Sequence, residues 1–151
     1  DPHFRITRDI APKINKPKPA LIHNIMIPAL GGPKGKMSAS NENETIYTTD
    51  SPEVVRKKIN KYAFSGGQPD IEEHRKKGGN PDIDFSYQFL KIFFEPDDKK
   101  LEQIHDDYKS GKMLTGELKE ILIEKINQFL TSHQQKREKA KDELDKFLLK
   151  D

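Results

Sequence analysis

Two absences define this 151-residue chain at the outset: it has no cysteine and no long apolar run. Without cysteine there are neither disulfides nor thiolate metal sites, a composition that suits an intracellular protein. No apolar run approaches the roughly 20 residues that span a bilayer, and no signal peptide is recognisable. We therefore expect neither a disulfide-stabilised secreted domain nor a membrane helix.

Apolar residues are also few relative to charged ones. The chain is 32% hydrophobic and 34% charged, whereas globular domains carry about 25% charged residues. This predicts a thin core, with long solvated helices or surfaces that another segment covers. The eight phenylalanines argue against disorder. The start at Asp1 rather than at methionine indicates a piece of a longer protein.

The net charge of +2 names no partner, but its distribution is uneven. Residues 51–79 carry seven basic and four acidic groups, and residues 80–107 carry three basic and eight acidic groups. Such neighbouring faces could orient a polyanion. Ordinary solvated helix surfaces explain the same counts.

The first 50 residues resemble the end of an α/β unit in their pattern. Asp1 and Pro2 predict the start of a short helix, which the prolines of residues 12–19 end. The apolar run ALIHNIMI, residues 20–27, predicts a buried strand of a parallel sheet. Because one strand cannot form a sheet alone, we expect the rest of that sheet to precede this chain.

From Ser51 onward the pattern is helical. Ser51 and Asp70 are predicted helix caps, and glycines at 78–79 and at 111 predict helix ends. The last segment is one long helix with an exposed middle or two helices, with apolar residues resuming at Leu144, Phe147 and Leu148. We predict a mainly α chain, with a domain boundary between residues 50 and 51.

The loop PALGGPKGKMSASNENETIY, residues 28–47, has the composition of a phosphate-binding loop. It is not a P-loop: with Gly35-Lys36 in register, the first position of that motif is Leu30 and the last is Met37. A mobile loop that closes over a nucleotide and a plain surface turn both remain open. The five histidines lack metal-ligand spacing.

Several motifs resemble a known family. KMSAS at residues 36–40 is similar to the second signature of class I aminoacyl-tRNA synthetases, usually K-M-S-K-S, and its alanine form resembles the eukaryotic-type tryptophanyl-tRNA synthetases. Further blocks resemble that family in the same order: DPHFRITRDIAP, PKPALIHNIMIPALGG, NKYAFSGG, IEEHRKKGGN and MLTGELK.

The resemblance implies a Rossmann-like catalytic domain ending at residue 50, with one helix, one or two short strands and the signature loop. A helical anticodon-binding domain over residues 51–151 would follow. It implies that Lys36, Ser38 and Ser40 contact ATP phosphates, with Met37 and Ala39 in the same ATP site. It further implies Mg²⁺ bound with ATP, tRNA(Trp) and tryptophan as partners, a cytoplasmic location and a homodimeric full-length enzyme.

Two departures from the family qualify this reading. Ala39 stands where the second signature lysine is usual, so that Lys36 carries more of the phosphate charge. The first signature, H-x-G-H, is missing, and we expect the chain to be inactive alone.

For tRNA binding, the candidates are Arg5, Gln68 and Asp70. Amides and carboxylates at a loop-to-helix junction can read splayed bases, although Asp70 also suits a helix cap and Arg5 suits plain helix surface. Five lysines could touch phosphates, although each one alone also suits a plain solvated surface: Lys57, Lys58, Lys61, Lys76 and Lys77. A non-catalytic RNA-binding module and a tyrosyl-tRNA synthetase remain alternatives.

Overall fold

The computed structural model describes residues 2–24 and 27–148, which form helices and a two-stranded sheet. The elements in chain order are α1 (Pro2–Ile10), a 3-10 helix (Ala11–Ile14), β1 (Pro28–Ala29), β2 (Gly32–Lys36), a 3-10 helix (Glu42–Glu44), α2 (Pro52–Tyr62), α3 (Ile71–Lys77), α4 (Phe85–Phe89), a π-helix (Leu90–Phe94), α5 (Asp98–Lys109), α6 (Thr115–Lys141) and a 3-10 helix (Leu144–Lys146). The predicted mainly α architecture is confirmed. Within these ranges no helix has the length and apolar character of a membrane span.

Helix α1 lies on the surface of the described structure. All its residues are exposed, and Pro2 occupies the first turn. The following 3-10 helix ends at Asn15, whose φ of 56° is left-handed. The Arg8 guanidinium donates a hydrogen bond to the carbonyl oxygen of Pro19 at 2.5 Å. The predicted cap, Asp1, lies outside the described residues.

The prediction of a buried strand over residues 20–27 is wrong for the part that the structure describes. Residues 20–24 are irregular and Ile22 is 92% exposed. The only sheet within the described ranges is the antiparallel pair of β1 and β2, with Pro28 opposite Lys36. A strand is held by hydrogen bonds to a neighbour, and this hairpin provides no parallel partner for residues 20–24.

Helices α2, α3 and α5 begin at polar caps. Ser51 Oγ accepts the N–H of Val54 at 3.4 Å, and Asp70 Oδ1 accepts the N–H of Glu73 at 2.8 Å. Asp97 caps α5 in the same way. The predicted starts of α2 and α3 are confirmed, because the cap chemistry is local.

Helices α3 and α5 end against each other at two glycines. Gly78 and Gly111 have φ values of 72° and 79°, a region that favours glycine. A Cβ on Gly78 would collide with the carbonyl oxygen of Lys109, and one on Gly111 with that of His74. The two glycines therefore permit both the helix ends and their close contact.

The core lies between α2, α4, α5 and α6. Its fully buried members include Val55 and Ile59 of α2 and Leu122 of α6. Leu30, from the turn between the strands, is also fully buried in this core, and its carbonyl accepts the N–H of Phe64 at 2.7 Å. The loop-bearing segment therefore packs directly on the helices.

The last segment is neither one helix throughout nor two α-helices, because α6 runs without a break from Thr115 to Lys141 and a 3-10 helix follows at Leu144–Lys146. Leu118, Leu122, Ile126 and Leu130 are buried along one stripe, while Phe129 is 53% exposed. The apolar residues after the helix do not pack into the core: Leu144, Phe147 and Leu148 are exposed.

A buried polar cluster stabilises the start of α4. Asp84 Oδ1 accepts the N–H groups of Ser86 and Tyr87, and its Oδ2 accepts from the Gly66 N–H at 2.9 Å and the Tyr108 hydroxyl at 2.8 Å. Burial, together with the charge of Asp84, raises the pKa of Tyr108 to about 12.

Candidate functional site

The signature loop, residues 36–40, begins where β2 ends. Lys36 is exposed at the end of that strand. The next residue, Met37, is half-buried against the core, and its N–H donates to the carbonyl oxygen of Ile27 at 3.2 Å. The loop thus starts from a hydrogen-bonded position with its lysine at the surface.

The two serines of the loop lie together. Ser38 Oγ and Ser40 Oγ are 2.7 Å apart, within hydrogen-bonding distance. The Asn41 N–H donates to the Ser38 carbonyl at 3.1 Å, which closes a tight turn over these residues. The structure therefore brings the hydroxyls of Ser38 and Ser40 together, with Lys36 two residues earlier in the chain.

Two side chains hold the loop from the protein side. Thr45 Oγ1 donates to the carbonyl oxygen of Ser38 at 2.5 Å, and the Tyr47 hydroxyl donates to that of Ala39 at 2.8 Å. Sequence reasoning did not single out Thr45 or Tyr47. Their only signal was the presence of hydroxyl residues shortly after the signature.

A largely shielded ion pair lies behind these two residues. Lys58 Nζ is 2.7 Å from Asp50 Oδ2, and the two side chains are only 12% and 11% exposed. Lys58 Nζ also donates to the Thr45 carbonyl at 2.8 Å and lies 4.6 Å from the centre of the Tyr47 ring. Asp50 Oδ2 accepts the Tyr47 N–H at 2.9 Å. Lys58 was one of the lysines expected to be solvated or to touch RNA phosphates, but its ammonium is bonded to Asp50 and Thr45 inside the protein.

A further contact connects the segment of residues 45–50 to α6. The side-chain amide of Gln134 donates to the carbonyl oxygens of Thr48 and Asp50, at 2.9 and 3.1 Å. Residues 45–50 are therefore bonded to two long helices, α2 and α6.

An apolar cavity of about 320 Å³ lies beneath the loop. Met37 contributes to its wall from the loop, and the remaining lining comes from the segment before and after the loop and from the helices: Ile27, Ile46, Thr48, Phe89, Phe93, Phe94, Ile126, Phe129 and Leu130. Met37 is thus the loop residue that faces the core, while Lys36 and Ser40 are exposed.

Gln68 and Asp70 line a second cavity, of about 510 Å³, at the start of α3. The Gln68 side-chain amide donates to the Gly78 carbonyl at 3.0 Å, and Asp70 Oδ1 caps α3. Thr115 and Glu117, from the first turn of α6, form the facing wall. The capping role of Asp70 is confirmed, and a carboxylate retains further acceptor capacity beyond one cap.

His74 supports the loop that carries Gln68. Its ring is buried, with Nδ1 3.4 Å from the Gln68 backbone N and Nε2 2.9 Å from the Met113 carbonyl oxygen. The two ring nitrogens therefore bond the backbone on both sides of the ring, which fixes its orientation. Sequence reasoning gave His74 no particular role.

Arg5, the third predicted tRNA residue, lies on the exposed helix α1 and does not line the cavity of Gln68 and Asp70. Within residues 2–24 and 27–148, the structure also shows no group of three or more histidine or acidic side chains arranged to hold a metal ion. The loop of residues 36–40 and the cavity at α3 are therefore the two candidate sites.

Comparisons with known proteins find similarity to aminoacyl-tRNA synthetases. The family model of the tRNA synthetases class I (W and Y) matches residues 1–131. The tryptophan–tRNA ligase of Sulfurisphaera tokodaii is 60% identical over 141 residues, which are 93% of this chain and 37% of that protein. The cytoplasmic tryptophan–tRNA ligase of Homo sapiens is 54% identical over 144 residues, covering 95% of this chain and 30% of that protein.

The fold is similar to that of a solved relative. The tryptophanyl-tRNA synthetase from the hyperthermophilic archaeon Aeropyrum pernix K1 matches with a TM-score of 0.85 and 38% identity, over 94% of this chain and 39% of that one. The chain thus spans between 30% and 39% of the length of these relatives.

Proposed function

Because the chain belongs to the class I tRNA synthetases of tryptophan and tyrosine, we propose that it is the C-terminal portion of a tryptophan–tRNA ligase. The complete enzyme would activate tryptophan with ATP to tryptophanyl-adenylate and transfer the amino acid to tRNA(Trp). The names and identities of its relatives support tryptophan as the amino acid. This portion would supply the ATP-phosphate loop and the recognition of the anticodon.

The observation that carries the proposal is the construction of the loop at residues 36–40. Its backbone carbonyls at Ser38 and Ala39 are bonded from the protein side, and Lys36 and Ser40 are exposed. A held turn that presents an ammonium and paired hydroxyls suits the charge that develops on a departing pyrophosphate. We assign Lys36, Ser38 and Ser40 to the phosphates of ATP, and Met37 and Ala39 to the same site through their backbone.

Mg²⁺ would enter this site with ATP. Magnesium is commonly held by substrate phosphates with only one or two protein carboxylates, so that it needs no protein cage in this part of the enzyme. Bound there, it would neutralise phosphate charge. Because Ala39 provides no second ammonium, Lys36 is the loop's one side-chain cation.

We assign tRNA recognition to the cavity at α3. Gln68 and Asp70 line it, and amide and carboxylate groups hydrogen-bond the edges of unstacked bases. Arg5, on α1, would contact the same RNA by charge. The cavity is of a size that binds small organic groups.

The organisation of the complete enzyme is part of the proposal. Residues 1–50 would end the catalytic domain, and residues 51–151 would form the anticodon-binding domain. The enzyme would be a homodimer through its catalytic half and, as the name of the human relative suggests, cytoplasmic.

A hybrid enzyme tests the proposal. In the hybrid, this chain replaces the matching 141 residues of the archaeal relative. We expect tryptophan-dependent exchange between ATP and pyrophosphate, and charging of tRNA(Trp), neither of which the relative's catalytic half should support alone. If a folded hybrid binds tRNA but shows no exchange, the chain is a non-catalytic RNA-binding module. Charging of tRNA(Tyr) in place of tRNA(Trp) would assign the chain to the tyrosine enzymes, because in the hybrid this chain supplies the proposed tRNA recognition.

A further inference from the structure

The contacts behind the signature loop form a continuous connection from helix α2 to the loop backbone. Lys58 binds Asp50 and the carbonyl of Thr45, and Asp50 accepts the N–H of Tyr47. Thr45 and Tyr47 in turn donate their hydroxyls to the carbonyls of Ser38 and Ala39. Each step is a hydrogen bond of 2.5–2.9 Å.

We propose that the Lys58–Asp50 pair positions the signature loop for ATP, so that Lys58 and Asp50 are positioning residues of the activation step. Neither side chain would touch ATP. They act through Thr45 and Tyr47, which hold the two loop carbonyls. This inference rests on the proposed function of the loop as the ATP-phosphate site.

The pair is suited to this role because it is shielded and attached to a rigid element. Both side chains are about one-tenth exposed, so that water and salt screen their attraction little. Lys58 stands on α2 directly before the fully buried Ile59, and α2 begins at the cap Ser51. The ammonium therefore has a position that is fixed by the core.

A second ion pair on the same helix provides a contrast. Arg56 is 2.6 Å from Glu120, but these side chains are 52% and 42% exposed. Exposed pairs contribute little to structure because solvent screens them. Within the described residues, the Arg56 guanidinium bonds Glu120 and no residue of 36–50, so Arg56 is a matched control for Lys58.

The connection makes the ATP loop dependent on the helical domain. Lys58 lies on α2, and Gln134 of α6 bonds the carbonyls of Thr48 and Asp50. Preorganised groups stabilise a transition state only while they are held in place, and a misplacement of about 1 Å can cost about 100-fold in rate. The helices thus contribute to the activation step as well as carrying the RNA-binding surface.

The test uses the hybrid enzyme with Lys58→Met, Arg56→Met or no substitution. We expect Lys58→Met to lower kcat/KM for ATP in pyrophosphate exchange by about tenfold or more, with the KM for tryptophan within about twofold. Arg56→Met should leave both unchanged. The proposal is overturned if the two variants behave alike, or if the ATP and tryptophan parameters of Lys58→Met worsen equally.

A milder variant covers the case in which Lys58→Met does not fold. Tyr47→Phe removes only the hydroxyl that donates to Ala39 and leaves no buried charge unpaired. We expect it to lower kcat/KM for ATP by roughly threefold, the effect of one ordinary hydrogen bond. Unchanged ATP kinetics in a folded Tyr47→Phe enzyme would count against the connection.

Hydrogen exchange on the chain itself separates this inference from the function on which it rests. Amides of residues 37–47 should exchange about tenfold faster in Lys58→Met than in Arg56→Met, whether or not the hybrid is active. Equal exchange in the two variants refutes the positioning role. If amide exchange is faster in Lys58→Met but the hybrid without substitutions is inactive, the positioning role stands and only the proposed function is refuted.

Discussion

At the scale of single residues, the signature loop has side chains that face outward and a backbone that Thr45 and Tyr47 hold by hydrogen bonds. Lys36, Ser38 and Ser40 lie in one contiguous motif. Thr45 bonds the loop and Lys58 bonds Thr45, both through contacts that the tertiary fold creates, and Lys58 is 22 positions beyond Lys36. Lysine is normally exposed, so that composition predicted a solvated or RNA-facing Lys58 instead of a buried partner for Asp50.

Tyr108 gives a prediction that couples stability to pH. Tyr108→Phe removes the hydroxyl that donates a hydrogen bond to the buried carboxylate of Asp84. We expect the free energy of unfolding to fall by about 1.5–3 kcal/mol, because a hydrogen bond to a charged group is lost. Urea denaturation at neutral pH measures the difference in the free energy of unfolding between the parent and Tyr108→Phe. A difference below about 0.5 kcal/mol would contradict the role of this hydroxyl.

The sign of the pH effect follows from the raised pKa of Tyr108. Folding favours the neutral phenol, so its contribution is complete below the usual pKa of 10.0 and is lost as the pH rises towards about 12. The stability difference between the parent and Tyr108→Phe should therefore shrink over that interval. A difference that stays constant from pH 9 to 12 would contradict the shift.

At the scale of elements, local signals predicted well and long-range pairing did not. Ser51 and Asp70 cap the helices that they were predicted to cap, since the capping bond reaches only three residues ahead. The strand predicted over 20–27 is not formed by residues 20–24, the described part before residue 27, because a strand depends on a neighbour that no local pattern can supply. Residues 85–94 form the short α4 and then a π-helix, and Phe93 of that π-helix is 49% exposed.

A substitution of Gly78 tests how helix α3 ends. Gly78→Ala places a side chain at a left-handed φ and against the Lys109 carbonyl, so we expect a loss of at least about 2 kcal/mol in the free energy of unfolding. Gly116→Ala is the control, because a Cβ there meets no atom within 4 Å and alanine favours the helix. Denaturation that shows equal stability for the two variants would contradict this account of the α3 end.

At the scale of the whole molecule, the loop-bearing segment and the helices share one core. Leu30 is buried with the helical residues, and Gln134 bonds the segment from α6. The family motifs predicted the order of the two parts, but their packing is a tertiary property that depends on residues far apart in sequence. Ile22 and all residues of helix α1 are exposed. The chain spans 30–39% of the length of its relatives.

A substitution at Asp70 tests the proposed RNA recognition separately from the proposed activation step. Asp70→Asn keeps a good helix cap but removes the charge, so that folding should be preserved. In the hybrid we expect kcat/KM for tRNA to fall about tenfold while pyrophosphate exchange is unchanged. Glu72→Gln, which removes a carboxylate from the first turn of the same helix, is the control. Unchanged charging by Asp70→Asn would remove Asp70 from the RNA site.

The most direct test of the central claim is the contribution of Lys36 to activation. In the hybrid, Lys36→Ala should reduce tryptophan-dependent pyrophosphate exchange about 100-fold, because it removes the loop's one side-chain cation at the developing pyrophosphate charge. Lys139→Ala, an exposed lysine near the end of α6, should have no effect. Exchange by Lys36→Ala at the rate of the Lys139→Ala control would contradict the assignment of this loop to ATP.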